Sequence, residues 1–393
     1  MTLHTSARIA ESATGTSAAS AEQAVEAGLV YVSDGVAGIT RKRRRKRKDE
    51  GFDYVAPDGS AITNETMLQR VRALAVPPAY TDVWICRNPR GHLQATGRDA
   101  RGRKQYRYHA QWSSVRGNGK FERIVAFCSK LPRLRRMLRR DLKLRGYPRE
   151  KVLAIVVSVM AETLVRVGNT EYARDNKSFG LTTLRNRHAA FARGGRARLV
   201  FKGKGGLPHD VEIDDKRLVK LIRGVQQLPG QSLFQYRDDD DNVRPIDSGE
   251  VNDYLRAVLA ESFTAKDFRT WGATLATFQR LARLEKPEDA SERALAQLQN
   301  EVISEVAQAL GNTVAVCRKA YIDPLVFAGW RDGSLTRAAE GARGERQWEH
   351  VCLKFLARAH KAQARAAAKK KPGKKTQRGR KTNAGSSAPA GAA

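Results

Sequence analysis

Hydrophobic spacing changes partway along this chain, and that change constrains the fold more than any other feature. From about Asp53 the apolar residues come in short runs broken by turn residues. Val83-Trp84-Ile85-Cys86 is followed by Asn88-Pro89-Arg90-Gly91-His92 and then by Leu93-Gln94-Ala95-Thr96. Two short runs around a Pro-Gly turn predict paired strands. A second turn-rich segment, Gly97 to Lys104, leads into a further strand, Gln105-Tyr106-Arg107-Tyr108-His109. After Gly119 the spacing becomes three and four, which is helical. It predicts helices over Phe121 to Leu144 and Lys151 to Val167, with Pro148 just ahead of the second. From Asp214 onward it predicts helices over 214–227, 248–261, 268–284, 291–310 and 347–367, with Ser248 and Ser291 as N-caps. Between these sets, Ala197, Leu199 and Phe201 share one face of a strand. The turn Gly203 to Gly206 and the alternation His209 to Ile213 complete a hairpin. The expectation is an α+β chain: a small N-terminal domain built on a sheet, then a mostly α-helical domain with a small sheet. No internal repeat is evident.

Charge identifies the partner class. Lys and Arg number 72 against 41 Asp and Glu, a formal net charge of +31. Such an excess says little about fold but selects for a polyanion, most often nucleic acid. Part of it is segregated. Arg41 to Lys48 is an unbroken run of eight cations, and 361–381 holds ten more with no acid. Setting both aside still leaves an excess of 13. Four domains or arms are therefore expected: a disordered basic arm over 1–49, the sheet domain over 50–125, the helical domain over 126–360, and a disordered basic tail over 361–393. The arms raise DNA affinity in a salt-dependent way.

Cys86, Cys128, Cys317 and Cys352 lie far apart, with no C-x-x-C and no histidine pair nearby. That pattern predicts neither a zinc site nor a disulfide framework and fits a reducing compartment. There is no apolar window of 18 residues and no basic-then-apolar leader, so the expectation is a cytoplasmic, nucleoid-associated protein. A G-x-x-x-x-G-K-[ST] phosphate loop is also missing, which argues against an ATP-driven machine.

Four separated segments carry chemistry. Arg166 closes an apolar helix before Val167-Gly168-Asn169, where alone it would complement the helix dipole. Lys204 sits at a hairpin tip. Lys266-Asp267-Phe268-Arg269-Thr270 opens a helix. Gly311-Asn312-Thr313 leads into Arg318-Lys319-Ala320-Tyr321. Each has an ordinary structural explanation, but the ordered set Arg…Lys…Lys-x-x-Arg…Tyr is hard to obtain by chance. It suits phosphoryl transfer: a tyrosine oxygen attacks a backbone phosphate and stores the bond energy as a phosphotyrosine. Two guanidiniums hold the charged non-bridging oxygens, and a lysine protonates the departing 5′ oxygen. A free tyrosine has a pKa of about 10, so its deprotonation needs this cationic setting.

In this order the pieces resemble the active site of the type IB DNA topoisomerases, in the small form shared by poxviruses and bacteria. The resemblance covers roughly 50–360. It includes Thr96-Gly97-Arg98-Asp99, Gly102 to His109, Ser178-Phe179-Gly180-Leu181-Thr182-Thr183-Leu184, Phe201-Lys202-Gly203-Lys204 and Lys266 to Gly272. It implies Tyr321 as nucleophile, Arg166 and Arg269 as phosphate clamps and Lys204 as general acid. The family's fifth catalytic position, nine residues before the tyrosine, is often histidine and here is Asn312, which donates a hydrogen bond but carries no charge. The resemblance also implies a monomeric, C-shaped clamp on double-stranded DNA, needing no metal and no cofactor. Arg103, Lys104, Gln105, Tyr106, Arg107 and Tyr108 would then meet phosphates and base edges, with Arg185 and Lys266 as further DNA contacts. Two alternatives stay open. A tyrosine recombinase shares the chemistry but usually shows His-x-x-Arg where this chain has Lys266 and Arg269. A non-catalytic basic DNA-binding protein explains the charge but not the ordered set.

Overall fold

The computed structural model describes residues 21–22, 24–44, 51–100, 102–287 and 289–370. The fold is α+β and divides into two compact units between Arg123 and Ile124.

The first unit is an antiparallel five-stranded sheet. Its strands are β1 (Ile39–Arg43), β2 (Phe52–Val55), β3 (Thr81–Ile85), β4 (Leu93–Arg98) and β5 (Lys104–Tyr108), in the order β2-β1-β3-β4-β5. Helix α1 (Glu65–Ala73) is capped by Asn64, whose side chain accepts from the Met67 N–H at 3.0 Å. Its Val71 packs with Ile39, Val83, Ile85 and Ala95 in a small buried core.

Strand β1 corrects the expected arm over 1–49, because it begins inside that segment and joins the sheet. The hydrophobic pattern hid it: only Ile39 of its five residues is fully buried. Arg41, the first of the eight-cation run, is held by its guanidinium, which donates to the carbonyls of Val76, Pro77 and Tyr80 at 2.7–2.9 Å. Residues 1–20, 23 and 45–49 of that segment lie outside the described residues.

Helix α2 (Ala110–Asp141) starts eleven residues before the expected Phe121 and runs through Gly117 and Gly119. The second unit is organised around α3 (Arg149–Thr163), whose residues from Lys151 to Val157 are all buried, as for a helix enclosed on every side. Around it lie α4 (Thr170–Asn176), the antiparallel sheet β6 (Ala189–Ala192), β7 (Arg196–Lys202) and β8 (Pro208–Ile213), then α5 (Lys216–Gln226). Ala197, Leu199 and Phe201 are the buried face of β7. The small ribbon β9 (Gln235–Arg237) and β10 (Val243–Pro245) precedes α6 (Ser248–Leu259), α7 (Ala265–Arg283) and α8 (Glu292–Leu310). Short helices α9 (Val314–Ala320), α10 (Pro324–Arg331) and α11 (Ser334–Ala339) lead to α12 (Glu345–Lys370).

Ser291 caps α8 as expected, accepting from the Ala294 N–H. At α6 the cap is Asp247 rather than Ser248, in a reciprocal box with Glu250. Helix α12 carries ordered backbone to Lys370, into the expected disordered tail. The rest of that tail lies outside the described residues.

Candidate active site

Helix α3 ends three residues before Arg166, not at Val167. Leu164 turns left-handed (φ 56°) and its N–H bonds back to Met160. The chain then lies against the segment that follows α4: the Leu181 N–H donates to the Arg166 carbonyl at 2.9 Å and the Thr182 N–H to Val167 at 2.7 Å. Gly180 makes this approach possible, since a β-carbon there would stand 2.6–2.7 Å from backbone atoms of Gly168 and Arg166. Arg166 is thus aimed by paired backbone rather than by a helix end.

Arg269, on the second turn of α7, is almost fully buried. Its guanidinium donates to the Leu164 carbonyl, just past the end of α3, and to Leu310 at the end of α8 (2.8 Å). It also stands 5.2 Å over the Tyr321 ring. Burial, with Arg166 adding to it, pushes its pKa down to about 10 against the opposing pull of Tyr321. Tyr321 caps the C-terminus of α9, and its carbonyl accepts from the Thr274 hydroxyl of α7 at 3.1 Å. Two residues on, Asp323 is completely buried, caps α10 through the Leu325 N–H, and pairs with His360 of α12 at 2.7 Å. Both sides of the tyrosine are therefore tied to helices.

Asn312 follows the left-handed Gly311 that ends α8, and its side-chain oxygen accepts from Arg166 at 2.6 Å. Lys204 stands in the turn between β7 and β8, with its ammonium 5.9 Å from the centre of the Tyr172 ring. Arg166, Tyr172, Lys204, Lys266, Arg269 and Tyr321 all line one cavity of about 300 Å³, and no Asp or Glu lines it.

The electrostatics are unusual for a protein interior. Arg166 Nη1, Arg269 Nε and Asn312 Nδ2 are buried without a hydrogen-bond partner among the described residues. Buried donors are ordinarily satisfied, so three orphans in one place describe a receptacle for an acceptor-rich anion. No group of three or more His, Cys, Asp or Glu suited to a metal occurs among the described residues.

The structure therefore gathers Arg166, Lys204, Lys266, Arg269, Asn312 and Tyr321. Arg185 does not line the cavity; it is exposed and its guanidinium reaches Gln231. Arg103 to Tyr108 belong to the first unit. There Tyr106 and Tyr108 are exposed on β5 with stacked rings (6.1 Å, 8°), so they do not fill the small core. Lys104 pairs with Asp34 at 2.5 Å, Arg103 and Gln105 both bond Asp99, and Arg107 donates to the Ala75 carbonyl. Sequence reasoning did not select Tyr172 as a site residue. Its one available signal was Asn169, a helix cap just after the glycine turn that follows Arg166, whose side chain accepts from the Tyr172 N–H.

Residues 109–325 match the family described as eukaryotic DNA topoisomerase I, catalytic core, and residues 51–99 match the bacterial DNA topoisomerase IB N-terminal domain. DNA topoisomerase 1B of Acanthamoeba polyphaga mimivirus is 30% identical over 283 residues, 71% of this chain and 84% of the relative. Monkeypox virus DNA topoisomerase I and vaccinia virus (strain Copenhagen) DNA topoisomerase 1B are each 23% identical over 277 residues, 68% of this chain and 82% of each relative. A mostly helical unit whose cationic, acid-free cavity is lined by a tyrosine defines a class suited to binding an anionic, phosphate-like group. Within that class, the chain belongs to the type IB DNA topoisomerases, and it is an isomerase of the small poxvirus-like form.

Proposed function

We propose that this chain relaxes supercoiled double-stranded DNA by reversible transesterification, without ATP and without a metal ion. Tyr321 gives its phenolic proton to solvent in this cationic setting, and its Oη attacks the phosphorus of one backbone phosphodiester. A P–O bond forms to the tyrosine, leaving it on the 3′ end, while the bond to the 5′ oxygen breaks and Lys204 protonates that oxygen. Arg166, Arg269 and Asn312 hold the non-bridging oxygens as charge builds on them. Attack by the 5′ hydroxyl on the phosphotyrosine reverses each step after the duplex has rotated. The exposed cations and paired tyrosines of β5 give the N-terminal unit a DNA-contacting face of its own.

Three buried donors without a partner among the described residues, two of them on arginines that line an acid-free cavity together with Tyr321, carry this reading. Two guanidiniums supply there the charge stabilisation that a divalent ion supplies in metal-dependent phosphoryl transfer. The test is relaxation of supercoiled plasmid in EDTA without nucleotide, with denaturation during turnover to trap protein on a DNA 3′ end. Tyr321→Phe should bind duplex normally yet relax no plasmid and trap none. Relaxation by Tyr321→Phe near the wild-type rate would remove Tyr321 from the chemistry.

A further inference from the structure

His209 is a buried histidine between the two segments that carry Lys204 and Asn312. It lies on β8 opposite Phe201 of β7, with the two rings stacked at 5.0 Å and 3°. Its far edge faces two glycines. A β-carbon at Gly203 would come within 2.4 Å of Cδ2 and 2.5 Å of Nε2; one at Gly311 would come within 2.4 Å of Cε1 and 2.7 Å of Nε2. The ring therefore fills the gap between the residues immediately preceding Lys204 and Asn312.

Gly203 has an ordinary backbone conformation (φ −89°), so only the ring's proximity demands glycine there. Gly203 also closes the Lys204 turn at both ends: its N–H donates to the Leu207 carbonyl (2.7 Å) and its carbonyl accepts from the Gly206 N–H (3.0 Å). Whatever fixes Gly203 fixes the root of the Lys204 side chain. Burial, reinforced by Arg166 and Arg269, lowers the His209 pKa, which disfavours a further positive charge in the gap.

We propose that His209 is a positioning residue for strand cleavage: wedged between Gly203 and Gly311, its ring sets where Lys204 stands relative to the leaving oxygen. The inference rests on the transesterification reading above. It requires that disturbing the wedge slow only the step that depends on Lys204, and misplacement of a catalytic group by about 1 Å can cost on the order of a hundredfold.

The test is single-turnover cleavage of a duplex carrying either an ordinary phosphodiester or a 5′-bridging sulfur, whose thiolate leaves without a donated proton. His209→Ala should slow the oxygen substrate about tenfold to a hundredfold, leave duplex affinity unchanged, and recover most of the loss on the sulfur substrate. His209→Gln, which keeps a planar polar group near Nε2, should restore most of the oxygen rate. Gly203→Ala should be slow on oxygen and rescued by sulfur, and adding His209→Ala to it should cost less than His209→Ala alone, since the clash is relieved. Wild-type rates in His209→Ala, or equal losses on both substrates, would overturn the proposal. If His209→Ala does not fold, Gly203→Ala decides alone: sulfur rescue sustains the proposal and its absence overturns it. A wild-type protein that traps no DNA would instead remove the transesterification reading itself.

Discussion

Two basic regions of this molecule handle their charge in opposite ways. At β5 of the N-terminal unit cations carry counter-charges: Lys104 sits with Asp34, and Arg103, just ahead of the strand, with Asp99. In the cavity of the second unit, Arg166 and Arg269 share a space that no carboxylate lines, close enough for one to depress the pKa of the other. Paired surface cations contribute little individually, and most of their effect is screened by salt. Buried, unpaired ones are costly unless an anion arrives. The first arrangement suits adjustable contact with a polyanion. The second is preorganised for one charged group at one position.

The comparison breaks most severely at Arg269. On the proposed mechanism Arg269→Ala removes a donor to the reacting phosphate, and it also unties the Leu164 and Leu310 carbonyls that the guanidinium joins. Single-turnover cleavage should fall by at least the hundredfold to thousandfold typical of one lost oxyanion donor, together with a measurable drop in melting temperature. Cleavage within tenfold of wild type would mean that Arg269 serves only as a tie between helices.

Asn312 offers a smaller and sharper test. Its oxygen accepts from Arg166 while its buried nitrogen is left to donate. Asn312→Ala should slow cleavage about tenfold to a thousandfold. Asn312→His keeps one acceptor and one donor in the neutral ring and should stay within about tenfold of wild type on that account. An inactive histidine variant with an unchanged melting temperature would show that the amide's shape, not its donor, is what the site uses.

How much could be read beforehand follows the same division between local pattern and tertiary contact. Helix α7 was legible because its buried stripe, Phe268, Trp271, Thr274, Phe278 and Leu281, recurs at helical spacing. Strand β1 was not, because its sheet position depends on a partner rather than on its own alternation, and an unbroken cation run has no period. Gly117 and Gly119 delayed the expected start of α2, since glycine opposes helix locally, but the backbone is helical from Ala110. Arg166, Lys204, Lys266, Arg269 and Tyr321 of the cavity were selected through their order along the chain, and Tyr172 was not. The bond that joins Asn312 to Arg166 spans 146 residues and leaves no mark in either segment. His209 was equally hidden: its strand alternation was visible, but the two glycines it faces lie at the ends of other elements.

The gentlest way to blur the contrast is to give β5 an unpaired cation like those of the cavity. Asp34 is the group to change, because hydrogen bonding from Lys104 holds its carboxyl below the usual range and raises the Lys104 ammonium in return. Asp34→Asn keeps an acceptor for the Thr96 hydroxyl, which now bonds Asp34 at 3.0 Å, and releases Lys104 from its counter-charge. A freed lysine within reach of a phosphate adds about one displaced counterion, so the log–log salt slope of duplex binding should steepen by about 0.9. Affinity at low salt should rise a few-fold, while the cleavage rate constant at saturating DNA stays unchanged, because the cavity is untouched. A steeper slope with slower cleavage would instead mean that the two basic regions compete for the same length of duplex. An unchanged slope would place Lys104 away from the phosphates and leave Tyr106, Arg107 and Tyr108 as the contacting face of the strand.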